Sequence, residues 1–302
     1  MTALLGPREV RDLARPLDLR PRKALGQNFV IDPNTIRRIV RQAELPAGAQ
    51  VLEVGPGLGS LTLGLLEAGH AVTAVELDPR LAELLPDTVA QRLPAARSRL
   101  QVICADALRM PAADLKPDAL VANLPYNVAV PVLLQCLAQF PSLTSALVMV
   151  QREVAARLAA GPGSKTYGIP SVKAAWYGKV RMVGTVPPNV FWPVPRVDSG
   201  LVLLTAWDDP AAVHAGQDRG TVFGLVDRLF AQRRKTVRHA LAAAWGPAAA
   251  DEVLASAGVA PTARAEQLAV GDFVRLAEAT VRLVPPGPHP PRDGDTPSPR
   301  GA

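Results

Sequence analysis

Three glycines follow a short apolar run, in the order Gly55-Pro56-Gly57-Leu58-Gly59. A glycine-rich turn between a strand and a helix lets a ligand approach the backbone closely and meet the free N–H groups of the helix. The dinucleotide fingerprint G-x-G-x-x-G requires a glycine at position 60, where this chain has Ser60. Because many folds carry such a turn, the loop alone predicts a ligand contact and not a particular ligand.

Two carboxylates stand at corresponding places farther along the chain. Glu76 ends the next apolar run, and Asp106 follows the run after that. A carboxylate at such a strand end can accept hydrogen bonds from both hydroxyls of a ribose, and another can accept one from an adenine amino group. Either residue alone could equally be a helix cap or a surface carboxylate. Together with the glycine loop, they predict an adenosine-containing cofactor across the carboxyl edge of a sheet.

A further apolar run ends in Asn123-Leu124-Pro125-Tyr126. Pro125 cannot continue a strand ladder, so the chain must turn here. An asparagine and a tyrosine at this point suit either an ordinary packed turn or a polar and aromatic clamp on a planar ligand. The two cysteines, Cys104 and Cys136, have no C-x-x-C spacing, so neither a disulfide framework nor a metal site is predicted, and Cys104 is expected in the core.

Apolar runs that alternate with helical patterns must position these residues, which is typical of a parallel, doubly wound sheet. The predicted strands are Val51–Val54, Ala71–Val75, Leu100–Cys104, Ala119–Ala122 and Ala146–Val150. The predicted helices are Leu61–Ala68, Arg80–Val89 and Pro131–Gln139, and another is expected after Asp32 with Pro33 at its first position. Two more strands joined by a long proline-rich loop are expected within residues 180–205.

The pattern divides the chain into four parts. A basic N-terminal arm covers 1–24, the sheet domain covers 25–206, and a small helical domain covers 207–284. Residues 206–220, where the sheet domain passes into the helical one, are expected to be a linker. The proline-rich tail 285–302 is predicted to be disordered, because it cannot bury a core.

The net charge of +6 and the pI near 9.7 favour a polyanionic partner. Basic residues cluster at Arg8–Lys23 and again at Arg228–His239. The second cluster is expected to place Arg234, Lys235 and Arg238 on one helix face, beside Arg233. Such a cluster predicts either a contact with a phosphate backbone or a solvated basic face. The chain shows no signal peptide, and its apolar runs are shorter than the ~20 residues of a membrane span, so a cytoplasmic location is expected.

The combined motifs resemble class I S-adenosylmethionine-dependent methyltransferases, and within them the bacterial 16S rRNA adenine-N6,N6-dimethyltransferase family. The motifs are Leu25-Gly26-Gln27-Asn28-Phe29, Glu53 to Thr62, Val75-Glu76-Leu77-Asp78, Ala105-Asp106-Ala107, Asn123 to Tyr126, Gln151 to Val154, Gly163 to Gly168, Phe191 to Ser199 and Gln232 to Thr236. The resemblance runs from about Arg20 to Leu283. It implies an α/β fold with a Rossmann-like sheet, mostly parallel with an antiparallel edge, and a small all-α C-terminal domain.

The resemblance also implies roles for individual residues. S-adenosylmethionine is expected to contact Asn28, Val30, Gly55, Gly57, Glu76, Asp106 and Asn123. The expected catalytic residues are Asn123, Leu124, Pro125, Tyr126 and Phe191, where Tyr126 and Phe191 flank the target base. The expected RNA-binding residues are Arg233, Arg234, Lys235 and Arg238.

The implied function is dimethylation of N6 of two adjacent adenosines in a hairpin near the 3′ end of 16S rRNA, within the immature 30S subunit and linked to ribosome biogenesis. A monomer without a membrane partner is expected. Two alternatives stay open: a 23S rRNA adenine-N6 methyltransferase of the macrolide-resistance type, and an RNA-binding ribosome-assembly factor that does not methylate. A nicotinamide dehydrogenase is improbable because of Ser60 and because no catalytic His or Tyr-Lys pair can be placed.

Overall fold

The computed structural model describes residues 3–17, 28–110, 114–232 and 234–284. The chain divides into two compact units, Met1–Pro210 and Ala211–Ala302. The predicted tail, residues 285–302, lies outside the described residues. So do residues 18–27, which include the end of the predicted N-terminal arm and the start of the predicted sheet domain.

Strands and helices alternate through the first unit. Its strands are β1 Phe29–Val30, β2 Gln50–Val54, β3 Ala71–Glu76, β4 Leu100–Cys104, β5 Ala119–Asn123, β6 Ser145–Gln151, β7 Gly178–Val186, β8 Phe191–Trp192 and β9 Ser199–Ala206. Its helices are α1 Pro7–Ala14, α2 Pro33–Gln42, α3 Ser60–Glu67, α4 Pro79–Arg92, α5 Ala129–Gln139, α6 Arg152–Leu158 and α7 Ile169–Tyr177. Asp32 is the N-cap of α2, as predicted, and its side chain accepts hydrogen bonds from the backbone N–H groups of Asn34 and Thr35.

Seven strands form the main sheet in the order β4-β3-β2-β5-β6-β9-β7. All neighbours from β4 to β6 are parallel, while β9 is antiparallel to both β6 and β7. This confirms the predicted sheet, mostly parallel with an antiparallel edge. The strand order reverses between β2 and β5, and a ligand crevice is expected at the carboxyl ends of strands at such a switch point.

Alternating side chains on the strands support one hydrophobic core on each face of the sheet. Val51 and Val121 belong to the core shared with α1 to α4. Leu52 and Leu120, the neighbours of those residues in sequence, belong to the core shared with α5 and α6. Both faces are therefore covered, which explains why these strands read as continuous apolar runs.

The second unit is helical. Its helices are α8 Pro210–His214, α9 Arg219–Phe230, α10 Val237–Trp245, α11 Pro247–Ala257 and α12 Val270–Leu283. Phe230 and Phe273 stack within it, with ring centroids 6.1 Å apart. None of the helices in the described residues is long and apolar enough to cross a membrane.

The structure corrects three details of the sequence interpretation. Cys104 is exposed and not in the core, because it is the last residue of the edge strand β4. The expected linker 206–220 contains the short helix α8, which begins at Pro210. The basic segment is not one helix, because α9 ends at Phe230 and α10 begins only at Val237.

Candidate active site

The glycine loop after β2 needs a backbone conformation that side chains disfavour. Gly55, Gly57 and Gly59 have φ angles of +70°, +58° and +92°, in the left-handed region that glycine adopts at little cost. A Cβ atom on Gly57 would lie 2.8 Å from Cε1 of Phe29. The repeated glycines therefore allow the left-handed turn and, at Gly57, leave space for the Phe29 ring.

Glu76, at the end of β3, faces the same loop. Its Oε2 accepts a hydrogen bond from the Gly57 N–H at 3.1 Å, and its Oε1 accepts one from the Asp78 N–H at 3.0 Å. Burial raises the pKa of this carboxyl, while these backbone N–H groups act in the opposite direction. The two hydrogen bonds hold the carboxylate in place at the strand end, where the sequence predicted it.

Glu53 is a site residue that the sequence interpretation did not assign. Its side chain is 1% exposed, and its Oε2 accepts a hydrogen bond from the Thr62 hydroxyl at 2.7 Å. Burial, with a smaller contribution from the negative charge of Glu76, raises the pKa of Glu53 to about 8. The available signal was a charged residue inside the otherwise apolar strand β2, since a buried carboxyl is rare without a specific role.

The short strand β1 closes one side of the loop. The Ser60 hydroxyl donates to the Val30 carbonyl at 2.7 Å, and the Asn123 side-chain amide donates from Nδ2 to the Asn28 carbonyl at 3.0 Å. β1 also pairs with β8, so Val30 lies opposite Phe191. Ser60, the residue that departs from the dinucleotide fingerprint, thus holds β1 against the glycine loop.

These elements enclose a cavity of about 380 Å³ at the switch point of the sheet, a volume within the range of roughly 300–1,000 Å³ that is usual for small-molecule sites. Its walls include the following predicted site residues: Asn28, Val30, Gly55, Gly57, Glu76, Asn123 and Pro125. They also include Glu53, Ser60, Leu77, Asp78 and Arg80. The structure thus brings together residues from the ends of β1, β2, β3 and β5.

Asn123 has a defined orientation in this cavity. Because its Nδ2 donates to the Asn28 carbonyl, its Oδ1 is directed elsewhere and has no donor among the described residues. The Leu124 carbonyl oxygen also accepts no hydrogen bond within the described part of the chain. The Leu124 N–H, in contrast, donates to Met149 at 3.1 Å and fixes the backbone beyond β5. Two consecutive residues at the end of this strand therefore each carry an oxygen acceptor that no donor of the described residues occupies.

Four of the predicted catalytic and cofactor-binding residues are not among those that line the cavity. Leu124 is 1% exposed, and its side chain packs in the hydrophobic core. Asp106 is exposed, and its Oδ1 accepts from the Leu108 N–H at 2.9 Å, as in an ordinary turn. Tyr126 is half-buried, and its hydroxyl lies 2.9 Å from the Ser199 Oγ. Phe191 is 1% exposed and packs in the hydrophobic core, so its ring presents no free face to a base in this structure.

The predicted RNA-binding residues are arranged differently from a helix face. Arg233 lies outside the described residues, while Arg234 and Lys235 are exposed in the turn before α10. Arg238 is on α10, where its guanidinium makes two hydrogen bonds to Asp251 at 2.6 and 2.7 Å. In the described ranges, no group of His, Cys, Asp and Glu side chains could hold a metal ion.

Comparisons with known proteins agree with this geometry. Residues 19–281 match the family model described as ribosomal RNA adenine dimethylase. A ribosomal RNA small subunit methyltransferase A from Leifsonia xyli subsp. xyli is 60% identical over 277 residues, which are 91% of this chain and 98% of that protein.

Two solved structures share the fold. A dimethyladenosine transferase from Plasmodium falciparum is 23% identical with a TM-score of 0.72, covering 84% of this chain and 98% of that one. The 23S rRNA methyltransferase ErmE is 26% identical with a TM-score of 0.61, covering 83% of this chain and 98% of that one. The chain therefore belongs to the ribosomal RNA adenine dimethylase family and is an S-adenosylmethionine-dependent rRNA methyltransferase.

Proposed function

We propose that this enzyme dimethylates N6 of two adjacent adenosines in a hairpin near the 3′ end of 16S rRNA, in the immature 30S subunit. The observation that carries this choice is the 60% identity, over nearly the whole length, to a small subunit methyltransferase. The identity to a 23S rRNA methyltransferase is only 26%. The cavity at the switch point does not distinguish the two kinds of enzyme, because both transfer a methyl group from the same cofactor.

The residues around the cavity fit the cofactor. The glycine loop lets its methionine portion approach Gly55, and the Glu76 carboxylate can accept hydrogen bonds from its ribose hydroxyls. Asn28 and Val30 cover it from β1, and Asp106 is proposed to reach its adenine from the neighbouring strand end. When bound, S-adenosylmethionine supplies an electrophilic methyl group on a sulfonium. The protein contributes position and electrostatics.

The open acceptors at the end of β5 can orient the target amine. The exocyclic amine of adenine is a weak nucleophile, because its lone pair is delocalised into the ring. Hydrogen bonds from its two N–H groups to Asn123 Oδ1 and the Leu124 carbonyl would hold the amine pyramidal and direct its lone pair towards the cofactor side. Pro125 restricts the backbone at this point, and Tyr126 offers a stacking face worth about 1–3 kcal/mol per base. Phe191 is proposed to stack on the opposite face, which requires its ring to leave the core.

A methyl-transfer assay tests the proposal. Purified enzyme and radiolabelled S-adenosylmethionine are offered to unmethylated 30S particles and, separately, to 50S particles. We expect label in 16S rRNA as dimethyladenosine at two adjacent positions. Label confined to 23S rRNA would instead assign the enzyme to the macrolide-resistance type.

The alternative of a non-methylating assembly factor makes a different prediction. Such a protein would bind 30S particles but show no heat of binding with S-adenosylmethionine in calorimetry. The held carboxylate of Glu76 and the orientation of Asn123 support an intact cofactor site. The monomeric state and the cytoplasmic location stay predictions, which sedimentation and cell fractionation can check.

A further inference from the structure

The loop between β8 and β9, residues 193–198, exposes two large apolar side chains close together. Val194 is 65% exposed and Val197 is 44% exposed. A single exposed valine needs no explanation, but two within four residues give this short loop an apolar surface that water solvates poorly. Neither valine is among the residues that line the cofactor cavity.

Both ends of the loop contact predicted or observed residues of the candidate active site: Phe29 lines the cavity, and Tyr126 is a predicted catalytic residue. Before the loop, Trp192 pairs with Phe29 of β1, and the two rings stack with centroids 6.3 Å apart. After the loop, the Ser199 Oγ lies 2.9 Å from the Tyr126 hydroxyl. The loop therefore connects β8, which pairs with β1, to Ser199, which contacts the predicted stacking residue Tyr126.

The loop itself is restrained. Pro193 and Pro195 limit the backbone on either side of Val194. The Asp198 carbonyl accepts a hydrogen bond from the Arg152 N–H at 3.0 Å, and Arg152 lies 3.6 Å from the Asp198 carboxylate. A restrained apolar surface loses little conformational entropy on binding.

The charges around the loop favour a nucleic acid as the partner. Arg196 lies between the two valines in sequence, is exposed, and makes no hydrogen bond or ion pair with the described residues. The side chain of Arg152 is 63% exposed despite its ion pair. Apolar side chains beside cations match the two surfaces of an RNA strand, which are base faces and phosphates.

We propose that Val194 and Val197 contact the bases next to the target adenosine and occupy the space that it leaves on moving into the active site, while Arg196 binds an adjacent phosphate. Apolar side chains act as such wedges in other proteins that unstack nucleic acids, and enzymes that modify a base must withdraw it from its stack. This inference rests on the proposed function and adds the residues that would hold the displaced neighbours.

The test compares the double variant Val194→Ser/Val197→Ser with Val281→Ser as control, because Val281 is 61% exposed on α12. The substrates are radiolabelled S-adenosylmethionine and unmethylated 30S particles. We expect the double variant to lose at least tenfold in kcat/KM, mainly through kcat, while its affinity for S-adenosylmethionine stays within twofold of the original. Val194→Ile/Val197→Ile should retain at least half of the activity, since it preserves the apolar surface.

Several outcomes would overturn the inference. Unchanged kcat/KM of the serine double variant would do so, as would a loss that the control shares. If the double variant loses affinity for S-adenosylmethionine, Val194→Ser and Val197→Ser are measured separately. Unchanged kcat/KM in both single variants would contradict the proposed role of the two valines. An enzyme without substitutions that fails to label 30S particles would instead contradict the proposed function, so the two failures are distinct.

Discussion

The hydrogen bond from Asn123 to the Asn28 carbonyl decides which atom of the asparagine amide is available to a substrate. With Nδ2 donating to the Asn28 carbonyl, Oδ1 is directed away from that carbonyl and is available to accept a hydrogen bond from the N–H of an amine. This links the orientation of one amide to methylation of an amine. No catalytic base is required, because the methylated nitrogen can release its proton to solvent after the transfer.

Replacement of Asn123 by alanine should abolish methylation and leave the protein folded. The variant lacks one of the two acceptors for the target amine, and loss of one oriented hydrogen-bonding group at a reacting centre costs about 10²–10³ in kcat in comparable sites. Methyl transfer to 30S particles measures the loss, and circular dichroism checks the fold. Turnover near that of the original enzyme would refute the role assigned to Asn123.

Replacement of Glu76 by alanine should mainly weaken cofactor affinity. The variant loses the carboxylate that we propose accepts from the ribose, while the acceptors at Asn123 and Leu124 stay in place. We expect at least a tenfold rise in the Kd for S-adenosylmethionine by calorimetry, with a smaller change in kcat at saturating cofactor. A Kd equal to that of the original protein would show that Glu76 does not hold the ribose.

Replacement of Glu53 by glutamine should change how stability depends on pH. The pKa of Glu53 is raised from 4.5 to about 8 in the folded protein, so the folded state binds this proton more tightly than the unfolded state. The stabilisation is fully present below pH 4.5 and is lost as pH rises through about 8. Relative to the variant, the original protein should therefore lose a few kcal/mol of unfolding free energy across this window, since one pKa unit corresponds to about 1.4 kcal/mol.

Urea unfolding at several pH values between those limits measures this difference without cofactor. Glu83→Gln serves as the control, because Glu83 is exposed on α4. Parallel pH profiles for the original protein and Glu53→Gln would show that Glu53 is not a buried neutral carboxyl.

At the scale of elements, the site depends on the close approach of β1 to the glycine loop. β1 has only two residues, and it is held by the Ser60 hydroxyl, by the Asn123 amide and by its pairing with β8. Such a short strand needs these contacts because it shares no ladder with the main sheet. A substitution in the glycine loop should therefore displace β1.

The variant Gly57→Ala tests this coupling against Gly48→Ala. Both glycines have positive φ, +58° and +71°, so both substitutions strain the backbone by about 1–2 kcal/mol. Only at position 57 would the new Cβ clash, with Phe29, because nothing lies within 4 Å of the corresponding point at Gly48. We expect Gly57→Ala to raise the Kd for S-adenosylmethionine at least tenfold and Gly48→Ala to leave it unchanged. Equal increases in Kd for the two variants would mean that backbone strain, and not the clash with Phe29, accounts for the lost affinity.

At the scale of the whole molecule, the chain has a net charge of +6, but some of its cationic side chains are engaged in internal ion pairs. Arg238 is bound to Asp251, which raises the pKa of the arginine and lowers that of the aspartate. Arg234 and Lys235 lie in the turn before α10. Both are exposed, and neither forms an ion pair with the described residues. These two are therefore better placed to bind phosphate than Arg238.

Replacement of Arg233, Arg234 and Lys235 by alanine should weaken binding to 30S particles and flatten its dependence on salt. Each lost phosphate contact reduces the slope of log K against log salt concentration by about 0.7–0.9. Filter binding at several salt concentrations measures the slope, and Arg238→Ala should change it less. If the triple variant keeps the original slope, these residues do not contact RNA.

The sequence by itself determined the elements and the strand ends that carry Gly55, Glu76 and Asn123. Apolar runs, glycine turns and caps such as Asp32 act between residues that are close along the chain, so their effect can be read locally. The same local reading erred where two structures were possible, as in the basic segment, where α9 ends at Phe230 and α10 begins at Val237 instead of one continuous helix.

Only the tertiary structure decided which of these residues meet and in what state. Asn123 is oriented by Asn28, Arg238 is engaged by Asp251, Phe191 is buried in the core, and Glu53 has a raised pKa. These properties arise from contacts across the fold and from exclusion of water, which depend on how strands and helices pack. Residue types and spacing therefore predicted an adenosine-containing cofactor, and the family resemblance implied methyl transfer, whereas packing decided which atoms are available to perform it.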